Sequence, residues 1–374
     1  MIKQKVPFVD LHAQYKTIKQ EIDTAIQNVI DHMAFISGQY VNEFEFNFAR
    51  YCKAKHCVGV GNGTDALYIA LKSCGIGYND EIIVPANSFI ATSEAVSMTG
   101  AKVIFVDCHP ETYNIDVSQI ESKIRPNTKA IIPVHLYGQP ADMVLLSEIS
   151  KKYQLTIIQD CAQAHGATID EKPLSHFGDI LCFSFYPGKN LGAYGDAGAI
   201  VTNDDILATK ARMFANHGRL EKYNHEFEGM NSRMDGIQAA VLNVKLKYLD
   251  HWNEQRIKHA NQYNDFLKQI ETIITPYQRP GIKHVYHLYV IRTKQRDLLQ
   301  QFLKDHSIST GIHYPIALPN LKAYQYLSHQ NDDYPMASQY QNEILSLPLY
   351  PELTEKIVNT VCHSISDFCK IYST

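Results

Sequence analysis

Seven short runs rich in apolar and β-branched residues recur along the first two-thirds of the chain, and most are separated by segments of helical spacing. They are His56 to Gly61, Glu81 to Pro85, Lys102 to Asp107, Lys129 to Val134, Leu155 to Gln159, Ile180 to Phe185 and Ala197 to Thr202. Between the first two, Leu67, Ala70, Leu71 and Cys74 follow the i, i+3, i+4, i+7 spacing of one buried helix face. Short apolar strands alternating with helices imply an α/β fold: a seven-stranded, mostly parallel sheet sandwiched by helices. Ligands on such sheets sit beyond the carboxyl ends of the strands, so the loops that follow these runs are where chemistry is expected.

The last third reads differently. No Gly or Pro occurs between Gly236 and Pro276, and Ile237, Val241, Val244 and Tyr248 keep helical steps, which predicts one long or broken helix. A β-rich stretch from His284 to Thr293, a helix from about Lys294, an extended Ile308 to Tyr314 and a closing helix near Leu353 to Tyr372 then suggest a smaller α+β domain. The division expected is a large domain over residues 1–248 and a small one over residues 249–374.

Charge excludes some partners. With 35 basic against 39 acidic residues the net charge is −4, which gives no global attraction to nucleic acid or to an anionic membrane surface. Any phosphate must therefore be held by a local site. No run approaches the ~18 apolar residues of a membrane span. The start, MIKQKVPFVD, lacks an apolar stretch of signal-peptide length. The eight cysteines form no CxxC pair, so reduced, mostly buried thiols in a cytoplasmic protein are expected, with no metal site.

Three strand-end loops carry candidate chemistry. In GNGTDAL, residues 61–67, glycines precede Thr64 and Asp65 at a helix start, where free N–H groups suit an anion. A plain turn with an N-cap reads equally well, and a dinucleotide fingerprint is a partial rival, since Gly59 and Gly61 fit it but Thr64 stands at the third glycine position. In QDCAQAHGA, residues 159–167, Asp160 ends a strand with Gln163 a turn away. A helix cap or structural ion pair is the alternative for that acid, and His165 reads as a hydrogen-bonded core histidine rather than a base. In CFSFYPGKNLGAYGDAG, residues 182–198, Ser184 interrupts an apolar strand and Lys189 follows Pro187 and Gly188. Desolvation would lower that amine's pKa and suit it to Schiff-base chemistry; an exposed loop lysine is the alternative.

Together the three loops supply an anion cradle, a partner for a pyridinium nitrogen and a Schiff-base amine, the parts a pyridoxal 5′-phosphate (PLP) enzyme needs. With these residues in view, the chain resembles the DegT-like sugar-nucleotide aminotransferases of the fold-type-I class, from about Pro7 to the C-terminus. The motifs are NGTDAL (62–67), PANSFIAT (85–92), VHLYGQPADM (134–143), DCAQAHGA (160–167), FSFYPGKNLGAYGDAGAI (183–200), NSRMDGIQAA (231–240) and GIHYP (311–315).

The resemblance implies that Lys189 carries the cofactor as a Schiff base, that Asp160 pairs with the pyridinium and that Gln163 contacts the ring or its O3′. It implies that Phe89 stacks on the ring, and that backbone groups of Thr64 and Asp65 with the Ser184 hydroxyl hold the phosphate. Asn231 matches a residue reaching the neighbouring subunit's phosphate, which implies a homodimer with shared active sites; by itself, with Arg233, it reads as a polar cap before a long helix. Gln159 replaces an acidic residue often found before the Asp.

The implied reaction moves an amino group from L-glutamate to a keto group on a nucleotide-linked sugar. Lys189 separates the chain from sugar 3-dehydratase relatives, which carry a histidine there. The stretch TGIHYPIALPNLKAY, residues 310–324, resembles members acting on dTDP-linked 3-keto-6-deoxyhexoses, which would place His313, Tyr314 and Tyr186 near the sugar; a small-domain strand packing on the large domain is the alternative. C3 amination of such a sugar, for a dideoxy amino sugar of a surface polysaccharide such as an O-antigen, is the expectation. A UDP-linked or 4-keto substrate is the runner-up. A non-catalytic module sensing PLP or sugar is the alternative of another class.

Overall fold

A computed structural model describes residues 5–372. The chain opens with two helices that the alternating pattern does not reach, α1 (Leu11–Asp31) and α2 (Gln39–Tyr51). Then follow β1 (His56–Val60), α3 (Gly63–Ser73), β2 (Glu81–Pro85), α4 (Ala91–Met98), β3 (Lys102–Val106), β4 (Thr128–Ile131), α5 (Met143–Tyr153) and β5 (Thr156–Asp160). A hairpin, β6 (Thr168–Ile169) and β7 (Lys172–Pro173), leads to β8 (Ile180–Ser184), β9 (Gly198–Thr202), α6 (Asp205–Phe214) and α7 (Gly236–Leu246).

All seven expected strands form, and they join one sheet in the order β1-β9-β8-β5-β4-β2-β3. Only β9 runs against its neighbours; the remaining pairs are parallel. Successive side chains of a strand face opposite sides, and here both sides are buried. Ile82, Val84, Ala130, Ile158, Ile180 and Cys182 pack on the face covered by α3 and α4. Ile83, Ile131, Ile157, Leu181 and Phe183 pack on the face covered by α2, α5 and α7. The same alternation sets the site: Asp160 shares the parity of Ile158, Ser184 that of Cys182, and Gln159 takes the opposite face. Asp160 and Cys182 are direct partners across β5 and β8.

Of the two forms expected for the stretch after Gly236, one long helix or a broken one, the broken one is found. α7 ends at Leu246 and α8 (Leu249–Leu267) begins after Lys247 and Tyr248. Beyond it come β10 (Ile282–Lys283), β11 (Tyr289–Arg292), α9 (Arg296–Asp305), α10 (Pro335–Tyr340), β12 (Ile344–Leu347) and α11 (Glu355–Tyr372). β11 and β12 form an antiparallel pair. Tyr263, Tyr289, Leu299, Leu347, Val361 and Phe368 join α8, α9 and α11 to this pair in a separate core.

The stretch 284–293 is less regular than its composition suggests. Residues 284–288 leave strand pairing because they dock on a turn of the large sheet: Val285 N–H donates to the Gly138 carbonyl at 3.0 Å and Leu288 N–H to that of Tyr137 at 3.3 Å. The extended stretch 308–314 holds single bridges, Ile308 with Val6 and Gly311 with Ser346. The cysteines are buried apart from the half-buried Cys74. Burial pushes the thiols of Cys57, Cys108, Cys161 and Cys182 well above the usual range. Among the described residues no helix is long and apolar enough to cross a membrane.

Gly138 is where that docking is tightest. Its φ is +101°, and a Cβ there would stand 2.9 Å from the His287 nitrogen and 3.0 Å from the Tyr286 nitrogen. Gly138→Ala therefore strains the backbone by about 1–3 kcal/mol and should lower the melting temperature by a few degrees. An unchanged melting curve would show that the turn and the 284–288 segment are not locked together.

Candidate active site

Asp160 ends the central strand β5 with 6% of its surface exposed. Its Oδ2 accepts from Thr92 Oγ1 at 2.8 Å and its Oδ1 from the Ala162 N–H at 3.1 Å. Since the Thr92 proton is committed to the carboxylate, the Ser88 hydroxyl, 2.9 Å away, must donate to Thr92. Burial raises the Asp160 pKa, while the Thr92 and Ala162 hydrogen bonds and the charge of Lys189 pull it back. Both oxygens accept, so the arrangement favours the carboxylate form.

Lys189 lies in the turn after β8, its N–H donating to the Tyr186 carbonyl at 2.8 Å. Burial lowers its amine from 10.5 to about 8, and the charge of Asp160 opposes that fall. Three histidines sense the lysine's charge. For His165, His287 and His313 burial is the first cause of a lowered pKa and Lys189 the second. Burial takes His165 to about 3 and His313 to about 4, so both are neutral at physiological pH. His165 is indeed a core residue, packed between Phe183 and Phe185.

At the start of α3, the Asn62 side chain caps the helix by accepting from the Asp65 N–H at 2.8 Å. The Asp65 N–H is thus in use, and the amides left open by the turn are those of Gly63 and Thr64, the first two of the helix. Ser184, at the end of β8, closes against this turn: a Cβ on Gly63 would lie 2.6 Å from Ser184 Cβ and 3.2 Å from its Oγ. Free amides, a helix N-terminus and a hydroxyl next to a required glycine fit a phosphate. With Asp160 and Lys189 near each other, the donor set fits the remaining demands of PLP.

Gln163 is buried and spans the site. Its Oε1 accepts from the Tyr137 N–H at 2.6 Å and its Nε2 donates to the Tyr314 hydroxyl at 3.2 Å. Tyr314 stands 5.5 Å, ring to ring, from Phe89, which is 52% exposed. Burial and then the charge of Asp160 raise the Tyr314 hydroxyl's pKa. The Tyr137 hydroxyl donates to the His313 carbonyl, and His313 Nδ1 lies 2.8 Å from Ser346 Oγ. Phe8 stacks on His313 at 5.6 Å.

Two sequence candidates stand apart. Tyr186 is 59% exposed, with its N–H donating to Ser184 Oγ at 3.3 Å. Asn231 is exposed, its Oδ1 accepting from Arg233 Nε at 3.1 Å, so it takes no part in the cradle of its own chain. Its neighbour Ser232 is tied down: the Gly61 N–H donates to Ser232 Oγ at 3.0 Å, and that hydroxyl donates to Asp65 Oδ2 at 2.6 Å. Sequence reasoning did not single out Thr92, Tyr137 or Phe8. Thr92 lies in PANSFIAT one turn beyond Phe89, a spacing that puts both on one side of a helix start.

Comparison with known proteins places this geometry in context. Residues 16–366 match the model of the DegT/DnrJ/EryC1/StrS aminotransferase family. A Geobacillus stearothermophilus "pleiotropic regulatory protein" is 44% identical, covering 98% of this chain and 100% of its own length. A dTDP-3-amino-3,6-dideoxy-alpha-D-galactopyranose transaminase of Aneurinibacillus thermoaerophilus is 43% identical, covering 97% and 99%. A UDP-2-acetamido-2-deoxy-3-oxo-D-glucuronate aminotransferase of Pseudomonas aeruginosa is 40% identical, covering 97% and 100%. The solved structure of Streptomyces venezuelae DesV with a ketimine intermediate superposes with a TM-score of 0.96 at 41% identity, covering 97% and 98%.

The pH behaviour of Lys189 is a direct check on the site. In the cofactor-free protein its rate of modification by an acylating reagent should rise through a midpoint near 8 instead of 10.5. Asp160→Asn removes the charge that raises this pKa and should move the midpoint lower. A midpoint near 10.5 would mean that the amine is not desolvated.

Proposed function

The chain belongs to the DegT/DnrJ/EryC1/StrS aminotransferase family, whose members are PLP-dependent sugar aminotransferases, and from that premise we propose that it aminates C3 of a dTDP-linked 3-keto-6-deoxyhexose with L-glutamate as donor. The observation that carries the reading is that Asp160, Lys189 and the open amides of Gly63 and Thr64 all lie at or just after carboxyl ends of strands of the large sheet, with Lys189 close enough to Asp160 for their charges to interact and Ser184 against Gly63.

PLP, when bound, supplies an electron sink and the carbonyl through which an amino group passes from donor to acceptor. The residues divide the rest of the work. The Gly63 and Thr64 amides and the Ser184 hydroxyl would hold the phosphate. Asp160, kept ionised by Thr92 and Ala162, would hold the proton on the ring nitrogen. Phe89 would lie on the ring, with Gln163, fixed by the Tyr137 N–H, at its edge. Lys189, whose amine burial lowers to about 8, would take a proton from the substrate's carbon and return it. The neutral histidines around it add polar contacts without competing cations.

His313, Tyr314 and Tyr186 are assigned to the sugar. Amination at C3 is supported by the relatives' names, since both the dTDP and the UDP relative are named for chemistry at position 3. The product would be a dideoxy amino sugar for a surface polysaccharide. We assign residues 1–248 to the cofactor-binding unit and residues 249–374 to a smaller one; the seven sheet strands lie in the first, and β11, β12 and α11 in the second. A second copy would complete the phosphate site through Asn231, a reading supported by that residue's exposure. A sensing role is favoured by the names of some relatives, a pleiotropic regulatory protein and a sensory transduction protein among them, but a sensor has no need of a proton-carrying lysine beside a buried carboxylate.

Steady-state assays on purified dTDP- and UDP-linked 3-keto and 4-keto sugars test the substrate. The expected result is a kcat/KM at least roughly tenfold higher for the dTDP-linked 3-keto sugar. Turnover of the 4-keto sugar alone would overturn the assignment of C3. A bound cofactor whose absorbance ignores every amino donor would instead favour the sensor.

A further inference from the structure

Asn190, the residue after Lys189, is 2% exposed, yet its amide is fully engaged with other parts of the molecule. Nδ2 donates to Asn253 Oδ1 on α8 at 2.8 Å and to the Val285 carbonyl at 3.1 Å. Oδ1 lies 3.0 Å from His287 Nδ1. With both Nδ2 hydrogens committed, Oδ1 can only accept, so His287 carries its proton on Nδ1.

The partners are themselves fixed. Asn253 Nδ2 donates to the His165 carbonyl at 2.8 Å. Arg256 Nη1, one turn along α8, donates to the Leu349 carbonyl at 2.9 Å and the His287 carbonyl at 3.3 Å. The far end of the lysine's turn is held separately, by Lys245 Nζ donating to the Gly192 carbonyl at 2.7 Å. The turn is also closely folded: a Cβ on Gly192 would stand 2.2 Å from the Pro187 carbonyl oxygen.

We propose that Asn190 is a positioning residue for the reaction, clamping the turn that carries Lys189 to α8 and to the 285–287 segment so that the amine is held where the proton must be moved. This rests on the reading of Lys189 as the cofactor's amine. A buried amide used only for stability could sit anywhere in the core. This one adjoins the proton carrier and ties it to the 285–287 segment, which lies between β10 and β11 and docks on the turn at Gly138. Asp160, His165, His287 and His313 are the ionisable groups that sense the lysine's charge, and two of them, His165 and His287, are bound into the same network.

The test compares Asn190→Ala, Asn253→Ala, their double variant and His287→Gln with the wild-type holoenzyme. Three quantities are read: the single-turnover rate with L-glutamate, the pH midpoint of the bound cofactor's visible band, and hydrogen-exchange protection of residues 186–192 in the cofactor-free protein. Asn190→Ala should slow the donor half-reaction by about 10- to 100-fold while the donor's KM moves less than about threefold. Its band midpoint should shift by at least ~0.5 pH unit and protection of the turn should fall. The double variant should be little slower than Asn190→Ala alone, because the two amides act as one clamp. Should Asn190→Ala fail to fold, His287→Gln, which leaves the turn's sequence intact, must show the same slowing and midpoint shift.

A folded, loaded Asn190→Ala or His287→Gln with wild-type rate and midpoint overturns the proposal, as does a rate loss explained wholly by lost cofactor. Lys189→Ala checks the underlying reading separately: if it keeps the donor half-reaction, the assignment of the amine fails, whatever the clamp does.

Discussion

A carboxylate withdrawn from water at the end of a central parallel strand is the constraint around which the site is organised. Burying an ionised group is costly unless it is paired and hydrogen-bonded. Asp160 meets that condition through Thr92, the Ala162 N–H and the nearby charge of Lys189. The dependence is mutual: the carboxylate supports the lysine's charge, and burial keeps the lysine's pKa near 8. Thr92 can serve Asp160 because α4 begins directly after β2, two strands away in the sheet. Supporting one acid thus fixes the entry of a helix, the packing of two strands and the state of an amine.

The surroundings keep those two charges distinct. The histidines sensing Lys189 are neutral through burial, so they add polarity without repulsion. On the opposite face of β5, Gln159 Oε1 lies 3.0 Å from His135 Nε2 and its Nε2 donates to the Leu174 and Phe177 carbonyls. His135 Nδ1 accepts from the Ala141 N–H at 3.0 Å, so its proton sits on Nε2 and is given to Gln159. An acid at position 159 would face two carbonyl oxygens with no hydrogen to offer in its ionised form. The amide therefore suits position 159 of this chain.

Much of the sheet was legible because its strands are buried on both faces and read as continuous apolar runs. Asp160 and Ser184 were legible for the same reason, since each is a polar residue at the end of such a run, and Lys189 stands in the turn that follows one. The N-terminal helices lay outside the strand–helix alternation, and β12 is recognisable only through its pairing with β11. The Asn62 cap that occupies the Asp65 N–H is local, yet the sequence permits either residue to serve the anion. The rest is set by distance along the chain: Gln163 meets Tyr314 across 151 positions, and Asn190 meets His287 across 97. No pattern within a window of residues reports such contacts.

In the proposed reading one amine, Lys189, would hold the cofactor beside Asp160. Borohydride reduction of the cofactor-loaded protein, followed by proteolysis and mass spectrometry, tests it most directly. The expected result is a phosphopyridoxyl mass increment on the peptide containing Lys189, and no increment in Lys189→Ala. Labelling of a different lysine in the wild-type protein would contradict it.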